Sequence, residues 1–88
     1  MKYKLLFSEK ARKQLKKLDK NIALMIASKL KADLDNTDNP RIFGKALVGN
    51  KQGLWRYRVG NYRAICIIND NELIVLTLEI GHRKNIYK

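Results

Sequence analysis

The fold is decided by the stretch GLWRYRVGNYRAICII, which spans residues 53–68. Two runs of alternating β-branched and aromatic residues flank the pair Gly60-Asn61, and both residue types tolerate the backbone angles of a two-residue hairpin turn. The pattern therefore predicts a β-hairpin in which Arg58 lies directly opposite Arg63. The rest of the chain is expected to pack around this hairpin.

Because side chains alternate between the two faces of a strand, the hairpin has two contrasting faces. One face is apolar and aromatic, as a core requires, and carries Trp55, Tyr57, Val59, Tyr62, Ala64, Cys66 and Ile68. The other face carries Arg56, Arg58 and Arg63. Like charges directly opposite each other destabilise a sheet, whereas the planar guanidinium group matches phosphate and carboxylate geometry. We therefore expect an anion site, the alternative being three solvated arginines with Glu79 as a nearby carboxylate.

Composition limits the kind of protein and the kind of partner. The chain has 88 residues, a hydrophobic content of 45% and a net charge of +11. We expect one globular domain, residues 1–88, with an anionic partner such as nucleic acid or an acidic protein. The single cysteine, Cys66, excludes an intramolecular disulfide and fits a reducing cytoplasm. No apolar run approaches the ~20 residues of a transmembrane helix, so no membrane partner is expected.

Two helices are predicted before the hairpin. Ser8 is a suitable N-cap for the first helix, whose lysines and arginine form either a solvated face or a phosphate-binding surface. Asp19 is a suitable N-cap for the second, which is predicted to end near Asp35. Its core stripe recurs every fourth residue and is widened by two neighbours: Ile22, Ile26, Leu30 and Leu34, with Leu24 and Met25.

A short first strand and a long last strand complete the predicted sheet. Residues 41–52 are irregular and are expected to form a linking loop. After a three-residue turn at 70–72, the last strand is predicted to place Ile74, Leu76, Leu78 and Ile80 on the core face, with Glu79 near Arg63. The element order is β-α-α-β-β-β, an α+β fold with two N-terminal helices packed on a largely antiparallel four-stranded sheet.

The residue types restrict the chemistry. One histidine and one cysteine cannot form a zinc site, and no glycine-rich phosphate loop is present, so neither a metal nor a cofactor is expected. What remains is arginine, histidine and tyrosine. This set suits metal-independent RNA cleavage, in which a 2′-hydroxyl attacks the adjacent phosphate while arginines stabilise the developing charge.

Two segments, KALVGNKQGLWRYRVGNYR at 45–63 and GHRKNIY at 81–87, resemble the RelE branch of the RelE/ParE toxin superfamily. The resemblance covers nearly the whole chain. It implies the toxin of a type II toxin–antitoxin pair, an endoribonuclease that enters the ribosomal A site and cuts mRNA there. It also implies an acidic, RelB-like antitoxin that wraps and silences the toxin.

The same resemblance suggests roles for individual residues. Arg56 and Arg58 stand where RelE-like toxins have basic residues near the scissile phosphate. Arg63 matches a phosphate-contacting arginine, and Arg83 matches a C-terminal arginine that stabilises the transition state. Tyr87 matches a tyrosine that stacks on the substrate base, the alternative being a packing role.

One departure from the family concerns proton transfer. Some RelE enzymes carry lysines at the positions of Arg56 and Arg58, and one of these is proposed as the base. A guanidinium group, with a pKa above ~12, does not readily lose a proton. His82 is therefore the candidate base or acid, since an imidazole titrates near ~6.5. The alternative interpretation is that His82 merely ends the strand.

Two other functions remain open. A ParE-like toxin would share the fold but bind DNA gyrase, with no need for a nuclease centre. A non-catalytic basic module that binds RNA or the ribosome would display exposed aromatic side chains for base stacking. The hairpin aromatics are predicted on the buried face, which favours the nuclease over this module.

Overall fold

The structure, a computed structural model, describes residues 1–82. Two helices pack on one face of a five-stranded sheet of order β1-β5-β4-β3-β2, in which β1 runs parallel to β5 and the other neighbours are antiparallel. The predicted α+β class, with two N-terminal helices on a largely antiparallel sheet, is confirmed, but the predicted count of four strands is wrong because one strand, β2, is added between α2 and the hairpin. The elements are β1 Lys4–Phe7, α1 Glu9–Lys17, α2 Lys20–Leu34, β2 Gly44–Ala46, β3 Trp55–Val59, β4 Tyr62–Asn69 and β5 Ile74–His82.

The extra strand, β2, lies within the predicted linking loop. It is only three residues long, so the sequence has no alternation long enough to reveal it. Gly44 lies opposite Tyr57 on β3, and the ring of Tyr57 lies across it. A Cβ atom at position 44 would come within 2.7 Å of that ring, so the close packing of β2 on β3 requires glycine.

The hairpin of β3 and β4 has the predicted register. Val59 pairs with Tyr62, and Arg58 pairs with Arg63. Gly60 has a φ of 59°, the left-handed region that glycine adopts at the first position of a tight hairpin turn. Register and turn residue therefore agree, and the hairpin's two faces are as expected.

The two helices begin where capping side chains predict. The Ser8 hydroxyl accepts a hydrogen bond from the Ala11 backbone N–H at 3.0 Å, and an Asp19 carboxylate oxygen accepts one from Asn21 at 2.8 Å. Three apolar side chains of α2 are buried against the sheet, namely Ile26, Leu30 and Leu34. The prediction that Leu24 and Met25 join this core is wrong, because they are 63% and 47% exposed. They lie beyond the part of the helix surface that the sheet covers.

The predicted core face of β5 is wrong over its first half. The turn has four residues, 70–73, and Leu73 adopts a φ of 56°. One extra loop residue reverses the direction of every following side chain, so Val75 and Thr77 are buried in the core in place of Ile74 and Leu76. A register shift between β4 and β5 leaves Leu78 without a paired position and returns Ile80 to the core.

Candidate nucleic-acid interface

The sheet face that lies away from the helices carries a cluster of cations. The pairing places Arg58 opposite Arg63 across β3 and β4, and Arg56 two residues before Arg58 on the same face. The third strand adds Lys45, which lies opposite Arg56 on β2. We call these four side chains the basic cluster. Sequence reasoning assigned no role to Lys45, because it lies on the strand that went unpredicted.

Part of this cluster lines an open depression of about 310 Å³. Its cationic lining comes from Lys45, Arg56 and Arg58, and its remaining lining from Ile42, Phe43 and Gly44. Arg58 is exposed and Arg56 is half-buried. The depression is thus a concave, positively charged surface open to solvent, which is suited to an anionic chain rather than to a small enclosed ligand.

Arg63 is positioned differently from the other arginines. It is only 7% exposed and lies opposite Gly81 on β5. Glu79 lies opposite Ile65, two residues along β5 from Gly81, and is therefore a diagonal neighbour of Arg63. The Glu79 carboxylate also forms an ion pair with the Lys10 ammonium at 3.4 Å. Arg63 is therefore the most buried member of the basic cluster, with a carboxylate as its diagonal neighbour.

His82 lies apart from the basic cluster. It pairs with Tyr62 at the end of β5, and the two rings meet edge to face with centroids 5.5 Å apart. Tyr62 packs against the core on the helix side, so the register directs His82 to the face opposite the arginines. Its proposed role in proton transfer stays a prediction. Arg83 and Tyr87 lie outside the described residues.

The loop that borders the depression is held by two side-chain contacts, and the Asp70 partner of one of them is itself bound by Tyr3. The Arg41 guanidinium forms two hydrogen bonds to the Asp70 carboxylate, at 3.1 and 2.8 Å, and these hold the pKa of Asp70 below its usual value. The Tyr3 hydroxyl donates to the same carboxylate at 2.6 Å. On the side of the loop that faces β3, the buried Tyr57 hydroxyl donates to the Pro40 carbonyl at 2.6 Å. Pro40 and Arg41 are therefore held in position beside β3 and the turn after β4.

Residues 1–82 contain neither a cluster of metal ligands nor a helix that could cross a membrane. In that part of the chain no group of three His, Cys, Asp or Glu side chains gathers closely enough to hold a metal ion. Neither described helix has the length and apolar character needed to cross a bilayer, and the longer of the two has 15 residues.

The chain is similar in sequence to known toxin proteins. Residues 5–87 match the family model described as the ParE toxin of the type II toxin–antitoxin system parDE. The chain is 32% identical to Toxin RelG of Mycobacterium tuberculosis over 88 residues, which is all of this chain and 99% of the relative. It is 34% identical to a putative RelE-like toxin protein of Escherichia coli over 85 residues, covering 96% and 86% of the two chains.

Solved structures agree with the sequence relatives. The M. tuberculosis toxin–antitoxin complex RelBE2 contains a chain with a TM-score of 0.85 and 29% identity, covering 97% of this chain and 95% of that one. The isolated E. coli RelE toxin matches with a TM-score of 0.72 and 26% identity, covering 97% and 90%. The chain therefore belongs to the RelE/ParE family of toxins from type II toxin–antitoxin systems.

Proposed function

We propose that this toxin is a metal-independent endoribonuclease that cuts mRNA in the A site of the translating ribosome and acts in the cytoplasm. The observation that carries the proposal is two pairs of opposed like charges on one sheet face, Lys45 against Arg56 on β2 and β3, and Arg58 against Arg63 on β3 and β4. Like charges directly opposite each other on a sheet repel. A phosphodiester bound between them would turn this repulsion into binding.

The proposed reaction uses the RNA itself as nucleophile. The 2′-oxygen forms a bond to phosphorus while the bond from phosphorus to the 5′-oxygen breaks, leaving a 2′,3′-cyclic phosphate and a 5′-hydroxyl. Negative charge builds on the non-bridging oxygens, where Arg56, Arg58 and Arg63 would stabilise it. By family resemblance, Arg83 adds charge at the same phosphate and Tyr87 stacks on a substrate base.

Proton transfer needs a group that can release and regain a proton, which a guanidinium does not do readily. Among the residues that line the depression, Lys45 has such a side chain. We assign to it the proton delivered to the departing 5′-oxygen. A second group must take the 2′ proton, and the candidate from the sequence is His82, which the register places on the opposite face of the sheet.

An acidic antitoxin is the expected inhibitor. The charge of +11 attracts an anionic protein at long range, and the attraction weakens as salt screens it. The related RelBE2 protein was solved as a toxin–antitoxin complex. We infer that this chain likewise binds a RelB-like partner, and that its affinity for that partner falls with ionic strength.

Inhibition of DNA gyrase is the second candidate function, because the matching family model describes a ParE toxin. One experiment separates the two: wild type, Arg58→Ala and Arg83→Ala are expressed in cells, with Leu24→Ala as a control, and RNA ends and DNA breaks are mapped. We expect codon-phased RNA cuts from wild type and Leu24→Ala that disappear in Arg58→Ala and in Arg83→Ala. DNA damage without RNA cuts would assign the toxin to gyrase, and growth arrest with neither would indicate a non-catalytic ribosome-binding module.

A further inference from the structure

Two large apolar side chains are exposed to solvent at the edge of the basic cluster. Ile42 is 66% exposed and Phe43 is 53% exposed, and both line the depression together with Lys45, Arg56 and Arg58. The Lys29 ammonium lies 5.9 Å from the centroid of the Phe43 ring, and its charge is paired with the Asp33 carboxylate at 3.0 Å. Exposed aromatic surface next to clustered cations is the composition of single-stranded nucleic-acid sites.

The exposure of Phe43 is not the result of a loosely attached loop. Pro40 is buried and its carbonyl accepts the Tyr57 hydrogen bond. Arg41 is held by the Asp70 carboxylate, and its guanidinium lies 5.6 Å from the centroid of the Trp55 ring. Gly44 begins β2 immediately after the loop. The segment 40–44 is therefore held at both ends. Between these ends the Phe43 ring points outward and is not part of the core.

We propose that Phe43 is a base-stacking platform for the RNA strand whose phosphate lies on Arg56 and Arg58. This inference rests on the proposed function and adds a nucleotide subsite to it. A nucleotide supplies both an anion and a flat apolar ring within a few ångströms of each other, matching cations and an aromatic ring in one depression. An apolar protein segment would instead have to cover three cationic side chains. Burying these charges without a partner of opposite charge would cost desolvation free energy.

The test measures binding to two labelled hexanucleotides that cannot be cut because every 2′-hydroxyl is methylated. One strand carries bases and the other carries abasic sugars. By fluorescence anisotropy at low salt, Phe43→Ala should weaken binding of the base-bearing strand roughly 5- to 150-fold, the range that one lost stacking contact implies. Its affinity for the abasic strand should equal that of wild type. Phe43→Tyr should restore tight binding, and Leu24→Ala, an exposed apolar residue on α2, should bind as wild type does.

Several results would overturn the inference. Unchanged affinity of Phe43→Ala for both strands removes the subsite, and a weakened complex with the co-expressed antitoxin would then assign the platform to protein. Equal losses on both strands would show that the ring does not read bases. Failure of the proposed function looks different: Arg56→Ala and Arg58→Ala would then leave both affinities unchanged, whatever Phe43→Ala does. No binding of wild type to either strand would count against both proposals.

Discussion

Arg58 and Arg63 lie directly opposite each other on β3 and β4, yet their environments differ sharply. Arg58 is exposed, whereas Arg63 is only 7% exposed. One guanidinium therefore reaches toward solvent while its counterpart forms part of the packed sheet. The same pair combines an accessible cation with one that the fold holds in a fixed position.

This difference predicts opposite effects on stability. Arg58→Ala removes a cation that the register places directly opposite another arginine and should raise the free energy of unfolding by about 0.2–1 kcal/mol. Arg63→Ala removes buried packing and should lower it by roughly 1–3 kcal/mol. Urea unfolding of the two variants, with Arg12→Ala on the exposed surface of α1 as a control, measures both. A destabilised Arg58→Ala would mean that its charge is compensated in the fold.

Lys45 should contribute to the cleavage rate through proton transfer more than to RNA binding through its positive charge. Lys45→Arg keeps the positive charge but removes a side chain that can transfer a proton, so cleavage should slow by about 100-fold or more. Binding of the uncleavable strand should change little. Single-turnover cleavage as a function of pH, measured beside His82→Gln, separates the two candidates. If only His82→Gln slows the reaction, the assignment to Lys45 is wrong.

The buried Tyr57 hydroxyl should stabilise the fold through its hydrogen bond to the loop at Pro40. Burial raises the pKa of Tyr57, and its hydroxyl donates to the Pro40 carbonyl at 2.6 Å. Tyr57→Phe leaves that carbonyl without this donor and should cost about 1–3 kcal/mol of unfolding free energy. Calorimetry measures the loss. A Tyr57→Phe variant as stable as wild type would show that the Pro40 carbonyl finds another donor.

Cys66 predicts a loss of stability at high pH. Burial raises the pKa of its thiol from 9.0 to about 11. Between these values the unfolded chain ionises while the folded chain keeps its proton, so stability present below pH 9 is lost as pH rises toward 11. The loss should be roughly 2–3 kcal/mol. The measurement is the fall in melting temperature between pH 7.5 and pH 10.5, in wild type and in Cys66→Ala. The fall should be smaller in Cys66→Ala, and equal falls in the two proteins would contradict the prediction.

The hairpin was predictable because its signals are local. The Gly60-Asn61 pair fixes the turn, and alternation on both sides fixes the register and the facing arginines. The first half of β5 was not predictable in the same way. Leu73 adopts a left-handed conformation that nothing in its residue type favours. The loop is therefore one residue longer than its polar residues indicate, and the faces reverse.

The candidate site was predictable in part for the same reason. Arg56, Arg58 and Arg63 share a face because they lie on strongly patterned strands. Lys45 joins them through β2, whose three residues gain their conformation from pairing with β3 rather than from any pattern of their own. The position of Phe43 depends on tertiary contacts of the loop around Pro40, which no local signal indicates.

The most direct test of the central claim is cleavage of mRNA on purified, programmed ribosomes under single-turnover conditions with saturating toxin. A variant with Arg56→Ala and Arg58→Ala is compared with one carrying Lys16→Ala and Lys17→Ala on α1, which loses the same charge outside the depression. The arginine variant should cut at least about 100-fold more slowly, while the lysine variant stays near the wild-type rate. Equal rates in the two variants would contradict a phosphate site at Arg56 and Arg58.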